Sequence, residues 1–371
     1  MTKTATSDVL DLAPGVVPDP EEFVQAAMRW HFDPETGSPF WIERAKSLEF
    51  DPRTDVKSFE DLALFPNVTD ELRDVPTEML IPLGFGPRPD VVSVIESGGT
   101  TGSPKRLPLL REFADRIVAS EIAGLTKAGI SRKKHWLSLF PSGPHGAFDI
   151  AKRTAAAYGD GILVFGIDLD PRWVKKQIGA GNAQVAEDYV AHVVEQAASI
   201  LKTQNVGSLR LTAPVLARLS QDEELVGIIR EKITDIGWGG ASMDADSRYL
   251  YRTEIFPDIS IKGGYGTTMA LGGGSSERDG LGHDDPCIFD PSLAPYVTFS
   301  VVDPVTGQAV AYGDQGQIVV NHVSKSFLLP NNAERDLATR IEPRSSQIGD
   351  SIADVRPLAQ FGGTAVIEGV Y

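Results

Sequence analysis

The segment Ser97-Gly98-Gly99-Thr100-Thr101-Gly102-Ser103-Pro104-Lys105 decides how this chain is read. It follows a short apolar run at 91–95 and leads toward a helical pattern over 111–127. Glycine permits turns in which successive backbone N–H groups converge on one anion, hydroxyls add donors and a lysine adds charge. The combination predicts a phosphate cradle, though not of the Walker kind, whose lysine directly follows the second glycine. A Gly/Ser/Thr cluster is more often a plain surface loop. Two features weigh against that. The segment is expected between a strand and a helix, where α/β proteins collect ligands, and the charge is locally reversed. From Lys105 to Lys134, eight basic residues (Lys105, Arg106, Arg111, Arg116, Lys127, Arg132, Lys133, Lys134) stand against three acidic ones (Glu112, Asp115, Glu121). A solvated helix face accounts for part of that excess.

The surrounding chain sets limits. It has 371 residues, 42% hydrophobic and 23% charged, which is the composition of a globular protein with two or three packed subdomains. Its formal net charge of −16, from 51 acidic and 35 basic residues, disfavours nucleic acid and anionic membranes as partners. No apolar run approaches the roughly 18 residues needed to span a bilayer. Residues 1–19 carry no secretory leader pattern. A single cysteine, Cys287, excludes an internal disulfide and fits a reducing compartment, so a cytoplasmic location is expected. Cys287 itself reads as an inert, buried thiol.

Residues 1–90 read as a helical, loop-rich lead-in punctuated by proline. Residues 91–289 alternate strands (136–140, 161–165, 206–212) with helices (111–127, 188–202, 215–232), the rhythm of an α/β region built on parallel or mixed sheets. Residues 290–371 read as a small β subdomain and a tail, with strands at 296–302 and 316–321 joined by a turn at 303–307; 331–371 has no clear pattern.

On these residues the chain resembles the adenylate-forming superfamily, which includes acyl- and aryl-CoA ligases, peptide synthetase adenylation domains and firefly luciferase. Residues 97–105 look like its phosphate-loop signature, and three further segments follow in the family's order. Trp238-Gly239-Gly240-Ala241-Ser242 resembles the Gly-Gly-Ala turn that packs on adenine. Gly263-Gly264-Tyr265-Gly266-Thr267-Thr268 resembles the stretch whose tyrosine stacks on adenine and whose threonine touches the α-phosphate. Ile348-Gly349-Asp350 resembles the Thr-Gly-Asp whose aspartate holds the ribose hydroxyls. An aromatic face for a base and a carboxylate for a diol are chemically apt in themselves. The resemblance implies the large N-terminal domain of such enzymes, an α/β fold of helix-flanked sheets with a small β-barrel-like subdomain. It also implies ATP as cofactor, with AMP on the product side, and Mg²⁺.

Two departures stand out. The glutamate that follows the family's threonine and helps hold Mg²⁺ is Met269 here, a poor ligand for a hard cation, which leaves phosphates and water or a substitute such as Glu277. The chain also ends soon after Asp350, where the family continues into a C-terminal domain of roughly 100 residues, so that domain is expected to be absent. The same shortening occurs in the adenylating proteins of phenazine antibiotic biosynthesis and in the acyl-protein synthetases of bacterial luminescence. The missing glutamate, Pro330-Asn331-Asn332-Ala333-Glu334-Arg335-Asp336 and Asp354-Val355-Arg356-Pro357 look closer to the phenazine branch.

Phe140-Pro141-Ser142-Gly143-Pro144-His145-Gly146-Ala147-Phe148 falls where the family places its acyl-site loop. A planar acid would stack on Phe140, Phe148 or Trp238, beside Gly263 and Gly264, with His145 as a hydrogen-bond partner. The expected activity is adenylation of an aromatic acid in secondary metabolism, with Lys105 and Thr268 serving the chemistry and a separate thiol, amine or carrier protein as acceptor. The alternatives are a non-catalytic protein that binds nucleotide and acid, or an acyltransferase working through Cys287. The histidines show no metal-ligand spacing.

Overall fold

The computed structural model describes residues 9–13, 16–98 and 103–358, and the backbone of two short strands at 360–361 and 364–365. Helices α1 (Pro20–Phe32), α2 (Pro39–Arg44) and α3 (Pro52–Asp55), with short 3₁₀ turns between and after them, form the lead-in. Helix α1 begins where local chemistry dictates: the Asp19 carboxylate accepts from the Glu22 N–H at 2.9 Å, Pro20 takes the first turn, and Phe23, Val24, Ala27, Met28, His31 and Phe32 make one buried face.

Strands β1 (Val91–Glu96) and β2 (Arg106–Leu110) pair antiparallel. The 97–105 segment therefore joins the two strands of a hairpin and is not a strand-to-helix connection: Arg106–Leu110 is short, runs straight into the helix and carries Pro108, which argues against a strand in sequence. Helix α4 (Arg111–Lys127) follows, and a five-stranded parallel sheet comes next in the order β4-β3-β5-β6-β7. Its strands are β3 (His135–Ser138), β4 (Val164–Gly166), β5 (Val206–Leu211), β6 (Asp235–Trp238) and β7 (Ser260–Gly263). Helices α5 (Gly146–Tyr158), α6 (Pro171–Gly179), α7 (Ala183–Thr203), α8 (Ala213–Leu219), α9 (Glu223–Lys232) and α10 (Ala245–Leu250) connect and cover them. The expected helix over 215–232 is two helices, because Asp222 caps a new one by accepting from the Leu225 N–H at 3.1 Å.

A second sheet, antiparallel and six-stranded, runs in the order β10-β11-β12-β13-β9-β8: β8 (Ser275–Glu277), β9 (Ile288–Pro291), β10 (Val297–Val302), β11 (Gln315–Val323), β12 (Leu328–Ile341) and β13 (Ser351–Pro357). It starts before residue 290 and takes in 332–341 and 351–357 of the stretch after 331. Strand β12 escaped the sequence pattern because Asn332, Glu334 and Asp336 occupy alternate positions where a one-sided sheet would carry apolar side chains.

The lead-in is fastened to this sheet. The Trp30 and Trp41 indoles donate to the carbonyls of Lys325 and Leu328 at 2.9 and 2.8 Å, and His31 Nε2 lies 2.6 Å from the Ser324 carbonyl oxygen. His31 and His322 are wholly buried. Burial lowers His31 to about 4 and, with the charge of His31 as a further cause, His322 to about 3. The unfolded chain protonates both rings near 6.5, so between that pH and these lowered values it binds more protons than the folded protein. Stability should fall as pH drops below 6.5, by about 1.4 kcal/mol per pH unit for each ring. Melting temperatures from pH 7 to 4 test this: a His31→Gln variant should show a shallower fall than the wild type, and an equal slope would refute the assignment.

Candidate functional site: two cavities with a shared wall

The C-terminal ends of β6 and β7 run into two glycine turns. Gly239 N–H donates to the Leu211 carbonyl at 3.1 Å and Gly264 N–H to the Trp238 carbonyl at 2.9 Å, which ties the turns together. Gly240 has φ +74°, a conformation that favours glycine. Trp238, Gly240 and Gly264–Thr268 face a cavity on each side, of about 630 Å³ and about 660 Å³. A Cβ at Gly274 would come 2.0 Å from the Tyr265 carbonyl oxygen, so the wall is closely packed backbone.

The first cavity carries Ser97, Gly98 and Lys105 from the hairpin, Gly240 and Ala241, and Tyr265, Gly266, Thr267 and Thr268. Gly99, Thr100, Thr101 and Gly102 lie outside the described residues. The base of the loop is closed by paired bonds between its ends: Ser97 N–H to the Lys105 carbonyl at 3.0 Å, and Lys105 N–H to Ser97 Oγ at 2.9 Å. Of the eight basic residues at 105–134, Lys105 alone lines this cavity. Arg106, Arg111, Arg116 and Lys127 pair with Glu96, Asp90, Glu112 and Asp279, and Arg132 caps the Tyr158 carbonyl. The charge excess noted in the sequence is therefore mostly spent elsewhere.

The positive field comes instead from residues to which the sequence reading gave no phosphate role. Arg73 arrives from the lead-in, Lys175 from α6 and Arg335 from β12. Asp170 caps α6 by accepting from the Arg172 and Trp173 N–H groups, and Lys175 follows on that helix. Its Nζ is 3.9 Å from where a Cβ would stand on Gly98. Burial, then the charge of Arg73, lowers Lys105; burial, then Arg335, lowers Lys175. Cations that disfavour one another in a partly closed space favour a polyanion between them. The lead-in, the least informative stretch in sequence, also supplies Asn67, Thr69 and Asp70.

Carboxylates stand opposite. Tyr265 Oη donates to Asp336 at 3.0 Å and Thr267 Oγ1 to Glu334 at 2.7 Å. Burial, then Asp336, raises the Glu334 carboxyl, and Tyr265 is raised well above the ordinary phenol value by its burial and the same carboxylates. Met269 is buried at the cavity edge. The substitute carboxylate Glu277 is corrected: it lines the other cavity, with both oxygens on Arg252 Nη2 at 2.8 and 2.7 Å and one accepting from the Gly263 N–H.

Asp350 does not line either cavity. It is buried, and one carboxylate oxygen accepts from Arg340 Nε at 2.9 Å and Val301 N–H at 3.1 Å, an internal bond between strands. Four residues on, Asp354 does line the first cavity, with φ +51° and its carboxylate accepting from Thr339 Oγ1. Cys287 lines the same cavity, but burial, reinforced by Glu277, pushes its thiol up to about 12, which leaves it a poor nucleophile.

The second cavity takes Phe140, His145, Trp238, Gly239, Gly263 and Gly264. Phe148 is not among its lining; its ring packs over Gly166, with Lys152 Nζ 5.1 Å from its centroid. Burial, then the charge of Arg172, lowers His145, which favours a neutral imidazole. The floor has an unusual character for a parallel sheet. One face of the strands is apolar, with Leu137, Leu209, Ile236 and Ile261 in the core. The other presents Ser138, Ser208, Arg210, Asp235 and Lys262, with Gly237 leaving room above Arg210. Parallel strands are usually apolar on both faces; here Arg210, Asp235 and Lys262 of this face line the second cavity beside Trp136 and Trp238.

Among the described residues no cluster of three or more His, Cys, Asp or Glu side chains is arranged to hold a metal, and no helix is long and apolar enough to cross a membrane. No protein-family model matches the chain, and no curated protein matches it. Solved structures do. A 2-hydroxyisobutyryl-CoA ligase, in an open conformation with 2-HIB-AMP and CoA, superposes with a TM-score of 0.62 at 15% identity, covering 91% of this chain and 70% of that one. The same ligase in its postadenylation state with 2-HIB-AMP gives 0.60 at 14% identity, covering 92% and 68%. Its thioesterification state gives 0.58 at 16%, covering 89% and 65%. The chain thus spans about two thirds of that ligase and shares its fold, a parallel sheet beside a curled antiparallel one.

Proposed function

We propose that the protein adenylates a carboxylic acid with ATP. The observation that carries this is the shared wall: a cation-lined cavity and an acid-sized cavity meet across Gly264–Thr268, and Thr268 faces both. ATP occupies the first cavity with adenine on Tyr265 and its polyphosphate among Lys105, Lys175, Arg73 and Arg335. In this reading Asp354, which lines the first cavity, takes the ribose hydroxyls in place of Asp350. The acid occupies the second cavity with its carboxylate at Thr268. A carboxylate oxygen then bonds to the α-phosphorus, the bond to the bridging oxygen breaks, and pyrophosphate leaves with that electron pair. Such a displacement needs alignment and charge neutralisation more than an acid or base. Thr268 aligns and the lysines neutralise.

Glu334, an oxygen donor beside the Thr267 hydroxyl, fits a hard cation where Met269 cannot, and would hold Mg²⁺ against the phosphates, neutralising their charge.

An aromatic acid is supported by Phe140 and Trp238 on the walls of the second cavity, with His145 as a neutral hydrogen-bonding group. Kinship with the phenazine antibiotic branch is supported by Glu334, Arg335, Asp336 and 354–357, which carry the likeness and all line the first cavity. The acyl adenylate then passes to a separate acceptor, in the cytoplasm. ATP–pyrophosphate exchange over a panel of aromatic acids tests the proposal. Acid-dependent exchange is expected; ATP binding with no exchange for any acid would overturn it in favour of a non-catalytic binding protein.

A further inference from the structure

The second cavity continues past the point where a carboxylate would sit. Strands β6 and β7 border it along their whole length, from Trp238 and Gly263 at the wall to Asp235 and Ser260 at the far end. Three strand steps put that end roughly 10 Å from the wall. The groups there are polar and incompletely partnered. Asp235, buried, gives one carboxylate oxygen to Ser208 Oγ at 2.8 Å and Arg210 Nη1 at 2.6 Å; its other oxygen has no partner among the described residues. Thr154 Oγ1 and Trp136 Nε1, both buried, also lack one.

Helix α4 adds a carboxyl over this end. Phe113, Ala114, Ile117 and Val118 are its buried face, and Glu121 continues that face one turn on. Glu121 is exposed to solvent where it lines the cavity, and it makes no hydrogen bond or ion pair among the described residues. Water reaches it through the open mouth, while protein surrounds it densely enough to raise its carboxyl above the ordinary range, with Arg210 pulling the other way. The nearby cations do not neutralise it. Arg210 is committed to Asp235, and Lys127 and Lys262 share Asp279. Glu121 therefore presents a carboxylate with no protein counterion at the mouth of the cavity, open to a cationic group on a ligand.

Resting on the adenylation reading for the carboxylate end, we propose that the acid carries an amino group at its far end and that Glu121 is the partner of that amine. Glu121 thereby selects among acids while taking no part at the reacting phosphorus. Asp235, its charge already met by Arg210, keeps this end of the cavity polar through its unpartnered oxygen, while Glu121 supplies the counter-charge for the amine.

Isosteric acids test this by calorimetry without nucleotide: 4-(aminomethyl)benzoate against 4-ethylbenzoate, and 4-(aminomethyl)cinnamate against 4-ethylcinnamate. In the wild type at least one amine should bind about tenfold or more tightly than its ethyl counterpart, the usual worth of a charged hydrogen bond. In Glu121→Gln that ratio should fall to near unity. Amines that bind no tighter than their counterparts in the wild type, absence of binding included, overturn the inference without any variant. So does a preference that survives in Glu121→Gln. An amine preference without pyrophosphate exchange would keep this inference and sink adenylation; exchange that favours the ethyl acids would do the reverse.

Discussion

Lys105→Ala should weaken ATP binding by about 2 kcal/mol, roughly thirtyfold, while leaving the protein at least as stable as before. The two effects part because of where the ammonium sits. Lys105 is largely buried, its nearest carboxylate oxygen, on Asp70, is 3.8 Å away, and burial and Arg73 both disfavour its charge. Without a polyanion the ammonium gains little from its surroundings, so its removal costs the empty protein little. With a triphosphate bound it should become a charge-assisted partner. Calorimetry for affinity and a melting curve for stability check both halves. Equal affinity in the variant would remove the hairpin from the nucleotide site.

Asp350→Ala should do the opposite. Its carboxylate is the buried hinge of a bond between Arg340 and the Val301 N–H, so deletion leaves a guanidinium and a backbone donor without their acceptor. Breaking such a pair costs about 3 kcal/mol or more, which should appear as a large drop in melting temperature. ATP affinity below that temperature should stay within about twofold, since losses under roughly 0.5 kcal/mol are those of a residue that touches no ligand. A tenfold loss of affinity with an intact melting curve would return Asp350 to the ribose.

The contrast between these residues shows what the sequence made legible. The glycine turns at 239–240 and 263–266 could be found because close backbone approach demands glycine, and that demand is local. The parallel sheet could be found because its strands are short apolar runs between helices. Asp350 could not be told from Asp354, since the two lie four positions apart and only the start of β13 at Ser351 decides that Asp350 is buried between strands while Asp354, inside the strand, reaches the cavity. Arg73, Lys175 and Arg335 come from three distant segments, and no pattern along the chain joins them. Phe148 and Phe140 flank one loop and look equivalent in sequence; the start of helix α5 at Gly146 sends one toward β4 and leaves the other at the cavity.

The wall between the cavities is braced by closely packed main chain at Gly264 and Gly274, which changes little when side chains elsewhere are exchanged. Substitutions around Glu121 and Asp235 lie roughly 10 Å from the place where phosphorus would react, on the opposite side of that backbone. Selection could therefore rewrite which acid is accepted while the energy-coupling half stays fixed. A protein engineer could do the same, trading helix α4 residues between homologues to redirect the chemistry toward new acids without rebuilding the nucleotide side.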